Sequence, residues 1–213
     1  MPELLQRARG PALTVSIGAA AAAGGLWYRR YTTPFPYAQR WMLDKELPFL
    51  TRERLLDVLA PAPGERMLEI GPGTGLFSLP VAERLGPAGT LDVVDIQPVM
   101  VDHTLRRARE AGLTTVRGTT ADAGRLPFAD ASFDAAYMIT VLGEISDQHA
   151  ALAEIRRVLA PGGRLVVGEF LVDWHAVPVA VLARRARRHG LRLELRVGPR
   201  LSYLALLRSA GAW

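Results

Sequence analysis

The chain of 213 residues contains no cysteine, which excludes a disulfide framework, a thiolate metal site and a cysteine nucleophile together. Histidine is scarce too. His103, His149, His175 and His189 stand apart without metal-ligand spacing, so no metal site is expected. Lysine is nearly absent: Lys45 stands alone, and arginine supplies the rest of a net charge of +5. An arginine excess attracts polyanions, but no stacking-aromatic module or recognised nucleic-acid motif accompanies it, so nucleic acid is not an expected partner.

What is abundant is apolar content, at 49%, enough for one full-sized core. The chain divides into an N-terminal extension over 1–49 and one domain over 50–213. Residues 11–28 carry no charge and are flanked by Arg7 and Arg9 on one side and Arg29 and Arg30 on the other. As a helix they reach about 27 Å at about 1.5 Å per residue, just short of a bilayer core of about 30 Å. Three placements stay open: a helix in or on a membrane, a soluble helix packed on the domain or a partner, and a signal peptide cut near Ala21 to Gly25. Trp27 and Tyr28 beside two arginines favour membrane contact through residues 11–30. Residues 31–48, YTTPFPYAQRWMLDKELP, break regular structure and form a cap or lid candidate, with packing on the sheet an equal alternative.

A helical pattern over 51–59 follows, and then strand and helix patterns alternate. Strand-like runs fall at 66–70, 90–94, 114–117, 133–139, 164–170, 191–197 and 202–208. Helix-like runs over about 75–85, 98–111, 148–159 and 176–189 separate the earlier ones. This predicts an α/β fold with a mostly parallel seven-stranded sheet and helices on both faces, preceded by an N-terminal helical extension. Only four residues, Gly198 to Leu201, separate the last two strands, so the final strand should run antiparallel.

The stretch Met67 to Gly75, MLEIGPGTG, follows the first strand, where an open α/β sheet binds ligands. Gly71, Gly73 and Gly75 let the backbone turn sharply and approach a ligand, and the amides opening the next helix from Leu76 make a weak anion site. Leu76 replaces the third glycine of a dinucleotide fingerprint. Glu69, two residues before the loop, would repel a pyrophosphate but suits a ligand with ammonium and sulfonium groups. Asp95 ends the second strand, where a carboxylate can accept both ribose hydroxyls. Asp122 lies just past the third strand, placed either to accept from an adenine amino group or to cap a turn.

Taken together, EIGPGTG from Glu69, Asp95, Asp122, LPFADASFDAAY and EIRRVLAPGGRLVV resemble the class I S-adenosylmethionine-dependent methyltransferases, in particular the quinone-biosynthesis and small-molecule branch. The resemblance covers about 50 to 208 and implies a Rossmann-like fold with S-adenosylmethionine as cofactor. It implies that Glu69 and the Gly71–Gly75 loop face the methionine part, Asp95 the ribose, Ile96 and Ala123 the adenine, and Asp122 the adenine amino group. It places Ile139 and Thr140 beside the methyl group.

An acceptor of high pKa needs a general base. Glu144, Glu169, Asp173 and His175 fall near the carboxyl edge, each also readable as a capping or solvated residue, with Glu144 and His175 the leading catalytic candidates. Related sequences often carry histidine where Gly143-Glu144 stands, so a base is not inherited by position. A cytoplasmic protein is expected, and the run ARRARRHG at 183–190, with the apolar N-terminal segment, suits its lying against anionic lipid at the inner face of the membrane, with a small, lipophilic acceptor. Two alternatives stay open: a non-catalytic nucleoside-binding accessory protein at the membrane, and, more weakly, a dinucleotide-dependent oxidoreductase.

Overall fold

Residues 34–210 are described by the computed structural model. The readings placed on residues 11–30, membrane contact and signal peptide alike, lie outside the described residues. Among those described, no helix is long and apolar enough to cross a membrane.

Thr51 opens helix α1 (Arg52–Leu59) by accepting the Arg54 N–H on its hydroxyl at 3.3 Å, and Ala60 ends it in a left-handed conformation ahead of Pro61. Strands β1 (Arg66–Ile70), β2 (Thr90–Asp95), β3 (Val116–Thr120), β4 (Phe133–Ile139) and β5 (Leu159–Phe170) run parallel. Helices α2 (Ser78–Leu85), α3 (Pro98–Glu110) and α4 (Gln148–Val158) follow β1, β2 and β4. Helix α5 (Val179–Arg187) leads to β6 (Leu191–Val197), and β7 (Ser202–Ser209) inserts antiparallel between β5 and β6. The resulting order is β3-β2-β1-β4-β5-β7-β6, the seven-stranded sheet with a reversed final strand that the sequence pattern implies.

Side-chain alternation along the central strands sorts the core into two layers. Leu68, Ile70, Ala136, Met138, Leu165 and Val167 meet α4 and α5 on one face. Met67, Ala135, Tyr137 and Val166 meet α1, α2 and α3 on the other. Both faces are covered, which is why these strands read as nearly continuous apolar runs.

Element boundaries depart from the sequence pattern where glycine misleads. Strand β3 starts at Val116 and continues through Gly118, because a Cβ there would come within 2.5 Å of Val101 Cγ1 and 2.8 Å of Leu105 Cδ1. Gly118 is the point of close approach between α3 and the sheet, not a strand end. Strand β5 already begins at Leu159, which pairs with Phe133 across an irregularity. Helix α2 starts at Ser78 rather than near Gly75 or Leu76, since Gly75 takes φ 83° and residues 73–77 stay in turns. The expected anion site at the Leu76 amide is therefore not built as foreseen.

At the amino edge of the sheet, Arg164 ties three elements together. Its guanidinium donates to the Leu59 carbonyl at 2.6 Å, to the Ala60 carbonyl at 3.0 Å and to both Glu65 oxygens at 2.7 Å. These bonds satisfy the last carbonyls of α1 and hold the Glu65 carboxyl below its ordinary range. Arg164→Met is expected to cost roughly 2 kcal/mol in urea denaturation, because the half-buried Glu65 and the last carbonyls of α1 lose their shared charged donor. A loss below about 1 kcal/mol, the range of surface pairs, would show the cluster to be ornamental.

Candidate cofactor and acceptor site

Strand order reverses beside β1, with β2 on one side and β4 on the other, so a crevice opens above the carboxyl ends of β1 and β4. The glycine loop fills the floor of that crevice. Gly71, Gly73 and Gly75 take φ 68°, 58° and 83°, left-handed values that other residues avoid. Space is as restrictive as conformation: a Cβ on Gly71 would lie 2.4 Å from Val141 Cγ2, and one on Gly73 would lie 3.1 Å from Leu43 Cδ1. Backbone thus forms the cradle surface, held down by the Gly71 N–H bond to the Val94 carbonyl at 2.8 Å.

Glu69 pairs across the sheet with Tyr137, on the face that packs against α2. Its carboxylate is buried at 2% exposure and accepts the Ser78 hydroxyl, with the enclosed Tyr137 hydroxyl alongside but in no bond of good geometry. Burial, with a smaller contribution from Asp95, pushes its pKa up to about 7. The carboxylate therefore sits under the loop, anchoring it to the start of α2.

Asp95 stands at the end of β2, and burial raises its pKa. One oxygen accepts the Gln97 N–H at 2.8 Å. Ile96 beside it is 53% exposed. Asp122 is exposed, and its Oδ1 accepts the Gly124 N–H at 2.7 Å, a turn-forming bond of the kind weighed against the adenine role. Ala123 next to it is nearly buried. Ile139 packs over Gly168 at the end of β4, and Thr140 after it takes φ 56°, strained for a β-branched residue. Its N–H bonds the Gly168 carbonyl at 2.8 Å, which holds the strained turn in place.

The two catalytic candidates come together from different strands. Glu144 ends a 3-10 turn (Leu142–Glu144) after β4, and His175 follows β5. A Cβ on Gly143 would fall 1.9 Å from the His175 carbonyl oxygen, so glycine at 143 is what lets the two loops cross. Asp173 Oδ1 accepts the His175 N–H at 2.9 Å and lies 3.9 Å from its Nδ1, the histidine side chain being 8% exposed. Desolvation, and then Asp173 and Asp95, pushes the Glu144 pKa up to about 7.

Glu169 is the residue that sequence reasoning undervalued. It is 1% exposed, its Oε1 has no hydrogen-bond partner, and burial with the neighbouring Asp173 and Glu144 carboxylates lifts its pKa to about 8. No local signal marks it: in GEF, at the end of an apolar strand, a carboxylate reads as the first solvated residue.

Residues 34–50 lie across this edge. Phe35 N–H donates to Glu144 Oε2 at 3.3 Å while its carbonyl accepts from the Gln97 side chain at 2.9 Å. Tyr37 Oη lies 3.2 Å from His103 Nδ1, Leu43 covers Gly73, and Arg107 joins Asp44 at 2.9 Å to the Thr74 carbonyl at 2.8 Å. Leu50 is wholly buried in the core behind them. The strip is thus both a cover for the crevice and part of the packed domain.

Comparison with known proteins places this geometry in context. Residues 68–167 match a family profile described as a methyltransferase domain. The demethylmenaquinone methyltransferase of Beutenbergia cavernae is 41% identical over 140 residues, which is 62% of this chain and 54% of that one. Nocamycin O-methyltransferase of Saccharothrix syringae is 38% identical over 133 residues, 60% of this chain and 48% of that one. The chain spans about half the length of the curated relatives it matches. A SAM-dependent methyltransferase structure from Aquifex aeolicus shares the fold, with a TM-score of 0.75 at 18% identity over 83% of this chain and 100% of that one.

The raised carboxyl groups fix the sign of the pH dependence. Glu169 keeps its proton in the fold up to about pH 8 but loses it near 4.5 when unfolded, so the folded state binds more protons between those values and stability falls as pH rises through them. Each such group contributes at most about 1.4 kcal/mol per pH unit. Glu169→Gln is expected to leave the urea midpoint unchanged at pH 5 and raise it at pH 8.5. Parallel pH profiles for the two proteins would contradict this assignment.

Proposed function

We propose that this chain, a member of the class I S-adenosylmethionine-dependent methyltransferases, transfers the methyl group of S-adenosylmethionine to a small acceptor of lipophilic or membrane-associated character. One observation carries the reading: a side-chain-free cradle at the β1 crossover adjoins Asp95, Glu144 and Asp173, carboxylates gathered at one sheet edge. That donor set fits a cationic sulfonium amino acid and opposes a pyrophosphate. The fit extends to the nucleoside end, where Asp95 would take the ribose hydroxyls, Ile96 and Ala123 the adenine, and Asp122 its amino group. Glu69 would act from below, by fixing the loop that meets the methionine part, and Ile139 would flank the methyl group.

S-adenosylmethionine supplies a methyl group on a sulfonium that leaves without acid assistance. What remains for the protein is alignment and exclusion of water. The strip from Phe35 to Leu43 does the second by lying over the crevice. Glu144, poised near neutrality beside His175, is placed to take the proton of a hydroxyl or acidic carbon acceptor. The demethylmenaquinone and nocamycin enzymes named above indicate the acceptor classes to try first.

The test is incubation of the full chain with methyl-labelled S-adenosylmethionine, prenylated quinols in vesicles, and small hydroxylated acceptors. Acceptor-dependent release of S-adenosylhomocysteine is expected; binding without turnover across all acceptors would assign the chain to an accessory role instead. Asp95→Ala is expected to weaken S-adenosylhomocysteine binding about 10- to 100-fold, the loss of charge-assisted hydrogen bonds. Glu144→Gln retains an acceptor for the Phe35 N–H, so it should leave that affinity intact and lower kcat about 100-fold or more. Unchanged kcat would remove Glu144 from the chemistry.

A further inference from the structure

We infer that the carboxyl edge of the sheet, around the mouth of the crevice, is a docking face for an anionic lipid bilayer. The inference deepens the reading of a lipophilic acceptor and rests on it for purpose, but its evidence is the distribution of exposed side chains.

Among the described residues, every large hydrophobic side chain with high exposure except Leu195 lies at this edge. Trp41 and Met42, exposed by 61% and 48%, belong to the strip over the glycine loop. Val172 and Trp174, exposed by 60% and 59%, follow β5, and Leu201, at 60%, sits in the turn before β7. Contacts between the segments that carry them bring these segments to one edge. The Leu201 carbonyl accepts the Leu171 N–H at 2.7 Å, His175 crosses Gly143, and Glu144 accepts from Phe35. The apolar groups therefore stand on segments that border the place where an acceptor would enter.

Charge selects the occupant. The strip's carboxylates are spent inside the protein, Asp44 on Arg107 at 2.9 Å and Glu46 on Arg52 at 2.8 Å. Among the described residues, Arg40 bonds only the Tyr37 carbonyl and ring face, both neutral. Lys45 and Arg200, next to the apolar rim, have no carboxylate partner among the described residues. The opposite edge is built differently, with Arg66 on Asp134, Arg157 on Asp130 and Arg164 on Glu65, and, among the described residues, without exposed large hydrophobics. Tryptophan beside unpaired cations suits the headgroup region of an anionic membrane, where rings settle at the interface and cations meet lipid phosphates. Asp173, between Val172 and Trp174, puts a carboxylate on the rim, but it accepts the His175 N–H and lies 3.9 Å from that ring; a protein partner would not require the pairing of unpaired cations on the outer strip and turn with interfacial aromatics. Docked in this way, the crevice would open onto the bilayer, and a lipophilic acceptor could pass in without crossing water.

The absence of cysteine allows a direct test in the full chain. Leu201→Cys and, as a second probe of the same rim, Val172→Cys are labelled with a polarity-sensitive fluorophore; Glu110→Cys, at the far end of α3, serves as the control. On vesicles containing phosphatidylglycerol, emission from positions 201 and 172 is expected to brighten and shift to the blue while position 110 stays unchanged, and pure phosphatidylcholine should give little response. Arg200→Glu in the labelled Val172→Cys protein should weaken the response about fivefold or more, since each cation near such a surface is worth on the order of a factor of five. Protein that pellets with vesicles while positions 201 and 172 keep aqueous emission is held by residues outside this face, and the inference is then wrong. It is equally overturned if all three positions respond alike, or if a soluble protein alone changes the rim labels. Methyl transfer to a water-soluble acceptor is measured separately, so loss of the docking face leaves the proposed activity standing.

Discussion

The missing side chain at Gly71 is the constraint on which the crevice depends. Val141, from the loop after β4, occupies the space a Cβ would need, at 2.4 Å, so the ends of β1 and β4 close on each other only because nothing projects between them. That contact sets the height of the glycine loop. The turn over 73–77, with Gly75 at φ 83°, then delays α2 to Ser78, which is in place to donate to the Glu69 carboxylate. A second bare backbone position repeats the arrangement at Gly143, where the His175 carbonyl passes too close for any side chain. Two glycines thus bring together loops from the ends of β1, β4 and β5.

The electrostatics follow from that closure. Glu69, Glu144 and Glu169 lose water at the carboxyl edge and find few cations, so burial raises all three, to about 7, 7 and 8. The amino edge shows the opposite solution, with arginines paired one by one to carboxylates. At one end of the sheet the charges are paired; at the other, among the described residues, carboxyl groups buried inside the crevice lack a cationic partner while the unpaired cations stand outside on the rim. Undercompensated charge at a fold's crevice is a common mark of a binding site rather than of a stabilising network.

Much of this was legible in the sequence for a definite reason. Strands buried on both faces announce themselves as apolar runs, and the short link from Gly198 to Leu201 leaves no room for a helical crossover, so sheet type and the reversed last strand followed. The glycine loop and Asp95 were legible because backbone freedom and strand-end position are local properties. The direction of the Glu69 side chain was not: it depends on which face of β1 meets α2, which alternation alone leaves undecided. Glu169 was among the candidates but ranked below Glu144 and His175, because its burial comes from Tyr203 and the loop through Val177, elements distant in sequence. Gly118 and Gly143 read as breaks or oddities, yet each marks a close crossing that only the packed fold reveals. The turn bond of Asp122 to Gly124 shows how one residue can satisfy a local reading while its proposed ligand role stays open to test.

The central claim is that this edge receives a cationic methyl donor whose charge offsets the raised carboxyl groups. Calorimetric titration of the protein with S-adenosylmethionine near pH 7, in buffers of different ionisation enthalpy, addresses it directly. Release of protons on binding, and less release with uncharged-sulfur S-adenosylhomocysteine, is the predicted result. Proton uptake, or no binding heat in any buffer, would contradict the account.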